Sequence, residues 1–130
     1  MPELGPAPFI ALLIADNVAF DAWRDSVCAH LARSGCRYFV AWGQDCGLWA
    51  HAMDVTAGSL FGRGGGDTLI LTAAHEEAPL AEAMWASVHD TSHPTVALTG
   101  LVIVHVTPRP RREEILAQFS SAALREKPGI

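Results

Sequence analysis

No apolar stretch of the chain approaches the roughly 18–20 residues needed to cross a bilayer. Nor is Met1-Pro2-Glu3 the basic opening of a secretory signal. Phe9–Ala15, bounded by Pro8 and Asp16, therefore reads as a strand. Basic residues are few: 9 Lys and Arg against 14 Asp and Glu, a net charge of −5. This balance argues against non-specific nucleic-acid binding, which depends on Lys and Arg. It suits a soluble protein, or one whose partner is basic. Cysteine is sparse as well. Cys28, Cys36 and Cys46 lack CxxC spacing, and an odd count without a secretion signal points to reduced thiols and a cytoplasmic location.

What is present is apolar and evenly distributed. Half of the 130 residues are hydrophobic and 18% are charged. That is enough for one domain with its own core and too apolar for general disorder. The expectation is a single α/β domain over residues 1–130, with residues 1–8 and 127–130 flexible.

Strand-like and helix-like segments alternate. Phe9–Ala15 is apolar on both faces, as in a strand buried between helix layers. Asp16-Asn17 can cap a helix over about residues 19–33, in which Phe20, Trp23, Val27 and Leu31 form a core-facing stripe. Gly35 suits its left-handed end. Cys36–Trp42 is the second strand. Asp45 is a candidate cap for a short helix, about residues 46–53, with Leu48, Trp49 and Met53 on one side. Residues 54–66 are the least regular stretch and lead through Gly62-Arg63-Gly64-Gly65-Gly66 to a third strand, Thr68–Thr72. A third helix over 79–89 opens on Pro79, with Leu80, Met84, Trp85 and Val88 inward. Leu101–Val106 is the fourth strand. A last helix opens on Pro110, with Ile115, Leu116, Phe119 and Ala123 packing inward.

This alternation predicts a three-layer fold with a four-stranded, mostly parallel sheet and helices on both faces. The expected order is 2-1-3-4, flavodoxin/Rossmann-like, with a crevice at the carboxyl ends of strands 1 and 3. Polar residues gather after the first three strands: Asp16 and Asn17, then Asp45 and Cys46, then His75, Glu76 and Glu77. In a parallel sheet those turns share one rim.

Several constellations there carry chemistry. Cys46 at a helix N-terminus, with His75 as base and Glu76 or Asp16 orienting the imidazole, would make a nucleophile. No local signature surrounds the cysteine, and a small buried residue beside a surface histidine is the simpler reading. His89 and His93, with His75 and nearby acids, offer metal ligands. Pro94 disfavours helical geometry at His93, and HExxH is absent. The glycine run precedes a strand, with no Gly-Lys-Ser/Thr after it, so it reads as a connector rather than a phosphate cradle. Trp42 and Trp49 flank the Asp45-Cys46 turn; core packing is the favoured reading, with walling a pocket or anchoring a partner as the alternative, while Trp23 and Trp85 read most simply as core. Arg109, Arg111 and Arg112 are followed by Glu113 and Glu114, as on a self-paired surface.

Three groups of segments carry a resemblance: Cys36-Arg37-Tyr38; Ala41-Trp42-Gly43-Gln44-Asp45-Cys46 with Trp49 and Asp54; and Thr72, His75-Glu76-Glu77, Pro79-Leu80, Trp85, His93-Pro94-Thr95-Val96 and His105. As a set they resemble a family of small uncharacterised bacterial α/β proteins, over about residues 9–106. The resemblance implies one domain and names no activity. It also implies acids where this chain has Ala50 and His51, Thr-Trp where it has Ala73-Ala74, and further acids at Ala78 and Ala81. An acidic metal site in the family would be incomplete here.

Three functions fit. The preferred one is a small cytosolic binding module, immunity-like or accessory, that holds a protein or small molecule at its carboxyl edge through Asp16, Asn17, Trp42, Asp45, Trp49 and Glu77. The second is a Cys46/His75-dependent enzyme, with Glu76, acting on an acyl or glycosyl substrate. The third is a metal protein using His75, His89 and His93. No cofactor is indicated. Neither nucleic acid nor membrane is expected as a partner, and a homodimer through the last helix is compatible with the sequence.

Overall fold

The structure is a computed structural model that describes residues 8–16, 20–62, 66–106 and 112–123. Among the described residues four strands alternate with four helices: β1 (Phe9–Ala15), α1 (Asp21–Ser34), β2 (Cys36–Gly43), α2 (Cys46–Phe61), β3 (Leu71–His75), α3 (Leu80–His89), β4 (Gly100–Val106) and α4 (Arg112–Ala123). All strand pairs are parallel, as the alternation of elements requires. No helix of the described residues is long and apolar enough to cross a membrane.

β1 is buried at every residue, because helices cover both of its faces. Phe9, Ala11, Leu13 and Ala15 pack with Val27 and Leu31 of α1 and Trp49 and Met53 of α2. Ile10, Leu12 and Ile14 pack with Leu80 and Met84 of α3 and Ile115 of α4. The two-residue period of a strand divides the core into these two layers.

The α/β class and parallel sheet agree with the sequence, but the order of strands differs in the place of β3. It is β3-β2-β1-β4, not 2-1-3-4, so β4 rather than β3 lies beside β1. The chain runs outward from β1 to β2 to β3 with α1 and α2 on one face. It then returns across the sheet through α3 on the other face. Both arrangements keep right-handed crossovers, and local pattern does not choose between them. The crevice at which chain direction reverses therefore lies between β1 and β4.

Several elements correct the expected boundaries. α2 runs to Phe61, through a stretch expected to be irregular. Val55, Thr56, Gly58 and Ser59 favour helix only weakly, but Ala57, Leu60 and Phe61 pack against the core. The Arg37 guanidinium also lies over the Phe61 ring at 5.2 Å. Gly66–Thr68 takes a 3-10 turn, so β3 starts later than expected and ends on His75 rather than before it. The buried stripe of α1 is Arg24, Val27, Cys28, Leu31 and Ala32; Phe20 and Trp23 lie outside it. In α3 Leu80, Ala83, Met84 and Ser87 are buried, whereas Trp85 is half-buried and Val88 exposed. In α4 Ile115 is buried and Leu116 exposed. Gly35 ends α1 in the left-handed region at φ 112°, as expected. The cap position of α1 is Phe20, without a side-chain bond, so Asp16 does not cap it. Asn17, Arg63–Gly65, Arg109 and Arg111, the side chains of Arg112–Glu114, and both ends of the chain lie outside the described residues.

Candidate functional site

The carboxyl ends of the strands form one rim that carries Asp16, Asp45, Cys46, Glu76 and Glu77 on its βα turns. Cross-strand register aligns His75 with Trp42, Trp42 with Ile14, and Ile14 with His105. These four side chains therefore form a row on the α3/α4 face. At the β1/β4 crevice His105 Nε2 donates to Asp16 Oδ2, and the Asp16 N–H donates to Val106 O at 2.9 Å. The end of β1 is thereby tied to the end of β4 through both backbone and side chain.

The turn after β2 is held equally firmly. Gln44 N–H donates to Ala15 O at 2.7 Å. Gly43 has φ 100°, and a Cβ there would overlap that same carbonyl oxygen. Asp45 follows in the left-handed region, at φ 56°. It occupies the cap position of α2, as expected, but its side chain makes no capping bond. The β3–α3 turn also brings a carboxylate to the start of α2: a Cβ at Gly47 would lie 2.7 Å from Glu76 Oε1. A carboxylate there complements the positive end of the helix dipole. Gly43, Asp45, Cys46, Gly47, Leu48 and Glu76 line an open cleft of about 450 Å³.

His75 faces a different depression, of about 240 Å³, with Glu82, Trp85, Ala86 and Asp90. Cys46 belongs to the α1/α2 core and is 2% exposed. Burial raises the Cys46 thiol pKa, and the Glu76 carboxylate raises it further. Glu76 thus sits beside the cysteine, where it favours the thiol over the thiolate, rather than beside His75 as its orienting acid. Trp42 is half-buried, and its indole N–H donates to Ala78 O at 2.7 Å; it fastens the turn between β3 and α3. Trp49 is fully buried and presents nothing to a partner. Glu77 is exposed on the rim.

The histidines do not converge. His93 is tied into its own loop: one ring nitrogen bonds Leu69 O at 2.7 Å, and the other accepts from the N–H groups of Thr95 and Val96. His89 packs on Trp85, ring centroids 5.0 Å apart. Among the described residues no three His, Cys, Asp or Glu groups are placed to hold a metal ion.

At the α1/α2 end of the rim lies a feature that the sequence reading placed in the core. Phe20 is 87% exposed, Leu48 51% and Trp23 49%. Trp23 stacks edge-on against buried Trp49 at 6.0 Å. The first turns of α1 and α2 thus present three large apolar side chains at the rim.

Residues 1–122 match the family described as a domain of unknown function (DUF7684). The chain belongs to that family. No curated protein matches it, and no solved structure does. Membership in DUF7684 assigns no chemistry, so function must be argued from the rim itself.

Two parts of that rim were missed by sequence reasoning. His105 was legible as the polar residue near the end of an apolar strand, but its partner depends on strand order. Phe20 and Trp23 fit a helical stripe with Val27 and Leu31, and the spacing alone concealed that they stand at its exposed end.

The buried thiols yield two expected results. Burial pushes Cys28 and Cys36 up to about 12. A thiol whose folded pKa exceeds its unfolded value adds stability that is fully present below the unfolded value, near 9. That stability is lost as pH rises towards the folded value. Each thiol costs up to about 1.4 kcal/mol per pH unit in that window. Urea unfolding at pH 8 and pH 10.5 should show a fall of up to about 4 kcal/mol from the pair, and a Cys28→Ala/Cys36→Ala variant should show a shallower fall. In the native chain at pH 7.5, all three cysteines should react with iodoacetamide at least about tenfold slower than in the urea-unfolded chain. Rapid labelling of Cys46 alone would revive it as a nucleophile.

Proposed function

We propose that the chain is a binding module that docks a basic, apolar segment of a partner protein on the α1/α2 end of its carboxyl rim. The observation that carries this reading is the exposure of Phe20, Trp23 and Leu48 at the rim ends of α1 and α2. Large aromatic side chains standing in water at the first turn of a helix are of little use to the core and are typical anchors of interfaces. The charges around them are acidic. Asp21 and Asp25 lie on the first two turns of α1, and Asp45 and Glu76 edge the neighbouring cleft. Arg24 is buried and pairs with Asp21. A segment with apolar anchors flanked by Lys or Arg complements this surface in shape and sign, and the net charge of −5 speeds its approach.

The working compartment in this reading is reducing, in keeping with three buried free cysteines. The nucleophile reading is less well supported, because Cys46 is buried against a carboxylate and His75 faces another depression. The metal reading lacks a gathered ligand set among the described residues.

Selection of random displayed peptides on the immobilised whole chain tests the proposal. Enriched peptides should carry Lys or Arg beside two apolar residues. Their affinity should fall at least about tenfold in a Phe20→Ser/Trp23→Ser variant and weaken as salt rises. Peptides without basic residues, or equal binding by the variant, would contradict it.

A further inference from the structure

We infer that β4 is the interface of a homodimer, in which the β4 strands of two copies pair antiparallel and join the two sheets into one of eight strands. β4 ends the order β3-β2-β1-β4, so among the described strands it has a neighbour on one side alone. Val106 O accepts from Asp16 N–H. The alternation of a strand then directs the N–H and C=O groups of Leu101, Ile103 and His105 away from β1. This is a row of main-chain donors and acceptors offered outward over seven residues, in unbroken register with β1 from Gly100 to Val106.

Edge strands in monomers are usually blunted by charge, proline, a bulge or short length. β4 has none of these. Its sequence is Gly-Leu-Val-Ile-Val-His-Val, and Leu101 to Val104 are only half-buried, although Leu101 and Ile103 pack towards one helix layer and Val102 and Val104 towards the other. The opposite edge is different. β3 has five residues, and His93 binds Leu69 O just ahead of it.

Charge selects the occupant. No Asp, Glu, Lys or Arg occurs between Asp90 and Arg109. Two copies that each carry −5 can approach along this strand with little local repulsion, whereas a charged partner finds no opposite charge on it. An identical strand matches in length and apolar pattern, and a two-fold axis makes the contact closed and self-complementary. Residues 1–7 are a poorer occupant, since Pro2 and Pro6 cannot donate to a ladder.

Sedimentation velocity on the full chain reads the outcome. The wild type should sediment as a dimer at 50 µM, roughly, where interfaces of ordinary size are occupied. Val104→Lys places like charges near each other across the two-fold axis and should give a folded monomer by circular dichroism. Phe20→Ser should leave the dimer intact, so failure of this inference is separate from failure of the docking surface. Should Val104→Lys not fold, amide exchange in the wild type decides: the Leu101, Ile103 and His105 amides should be protected and lose protection on dilution. A wild type that stays monomeric, a dimer indifferent to Val104→Lys, or β4 amides whose protection ignores concentration would each overturn the inference.

Discussion

Gly43→Ala is expected to destabilise the fold by about 3 kcal/mol or more, among the largest effects open to a one-carbon change. Two independent costs combine. The residue sits at φ 100°, where a side chain is strained. Its new Cβ would also meet the carbonyl oxygen of Ala15. That oxygen is not free to retreat, because it accepts from Gln44 N–H and stands at the end of a strand buried on both sides. The melting temperature should fall by about 10 °C or more, and chemical unfolding should give the same loss. Gly58→Ala is the control. A Cβ there meets nothing within 4 Å, and the residue lies within α2. The same substitution should stabilise by about 0.5–1 kcal/mol. Opposite signs from one chemical change would locate the effect in the β2–α2 turn.

Trp49→Ala should cost about 3–5 kcal/mol, the range for emptying a large buried aromatic site. Trp49 is fully buried between β1, α1 and α2, and its loss also removes the ring against which Trp23 stacks. Trp49→Phe should cost much less. The indole N–H of Trp49 is buried and has no partner among the described residues, and phenylalanine removes that penalty along with some packing. Phe20→Ser, by contrast, should leave stability within about 0.5 kcal/mol of wild type, as expected for an exposed side chain. Urea titration of the three variants separates core from docking surface: the buried tryptophan governs folding, and the exposed phenylalanine governs binding.

The sequence made the layers of this fold visible and left the order of its strands open. β1, apolar throughout, declared itself buried on both faces, and Gly35 and Pro79 marked helix ends where the structure has them. The alternation of strand and helix dictated a parallel sheet. It did not dictate whether β3 or β4 lies beside β1, because that choice is made by the face on which α2 packs. Everything that depends on that choice was hidden, including the pairing of Asp16 with His105. The rim was legible as a set of turns, but membership of a turn does not fix which way a side chain faces. Cys46 turns inward under α2 while His75 lies on the α3 face. Trp23 departs from its expected core position for a related reason. Trp23 sits where the α1 stripe runs out past the end of the sheet, and Trp49 lies one turn into α2, over the core. α2 runs longer than its sequence pattern predicts because its second half is helical through packing rather than propensity.

The docking account is tested most directly by titrating the isotope-labelled whole chain with the tightest displayed peptide and following its amide and indole resonances. The account predicts saturable shifts at Phe20, the Trp23 indole and Leu48, with the α3 and α4 resonances still. Shifts confined to α3, α4 or the His75 depression, with Phe20 and Trp23 unmoved, would contradict it.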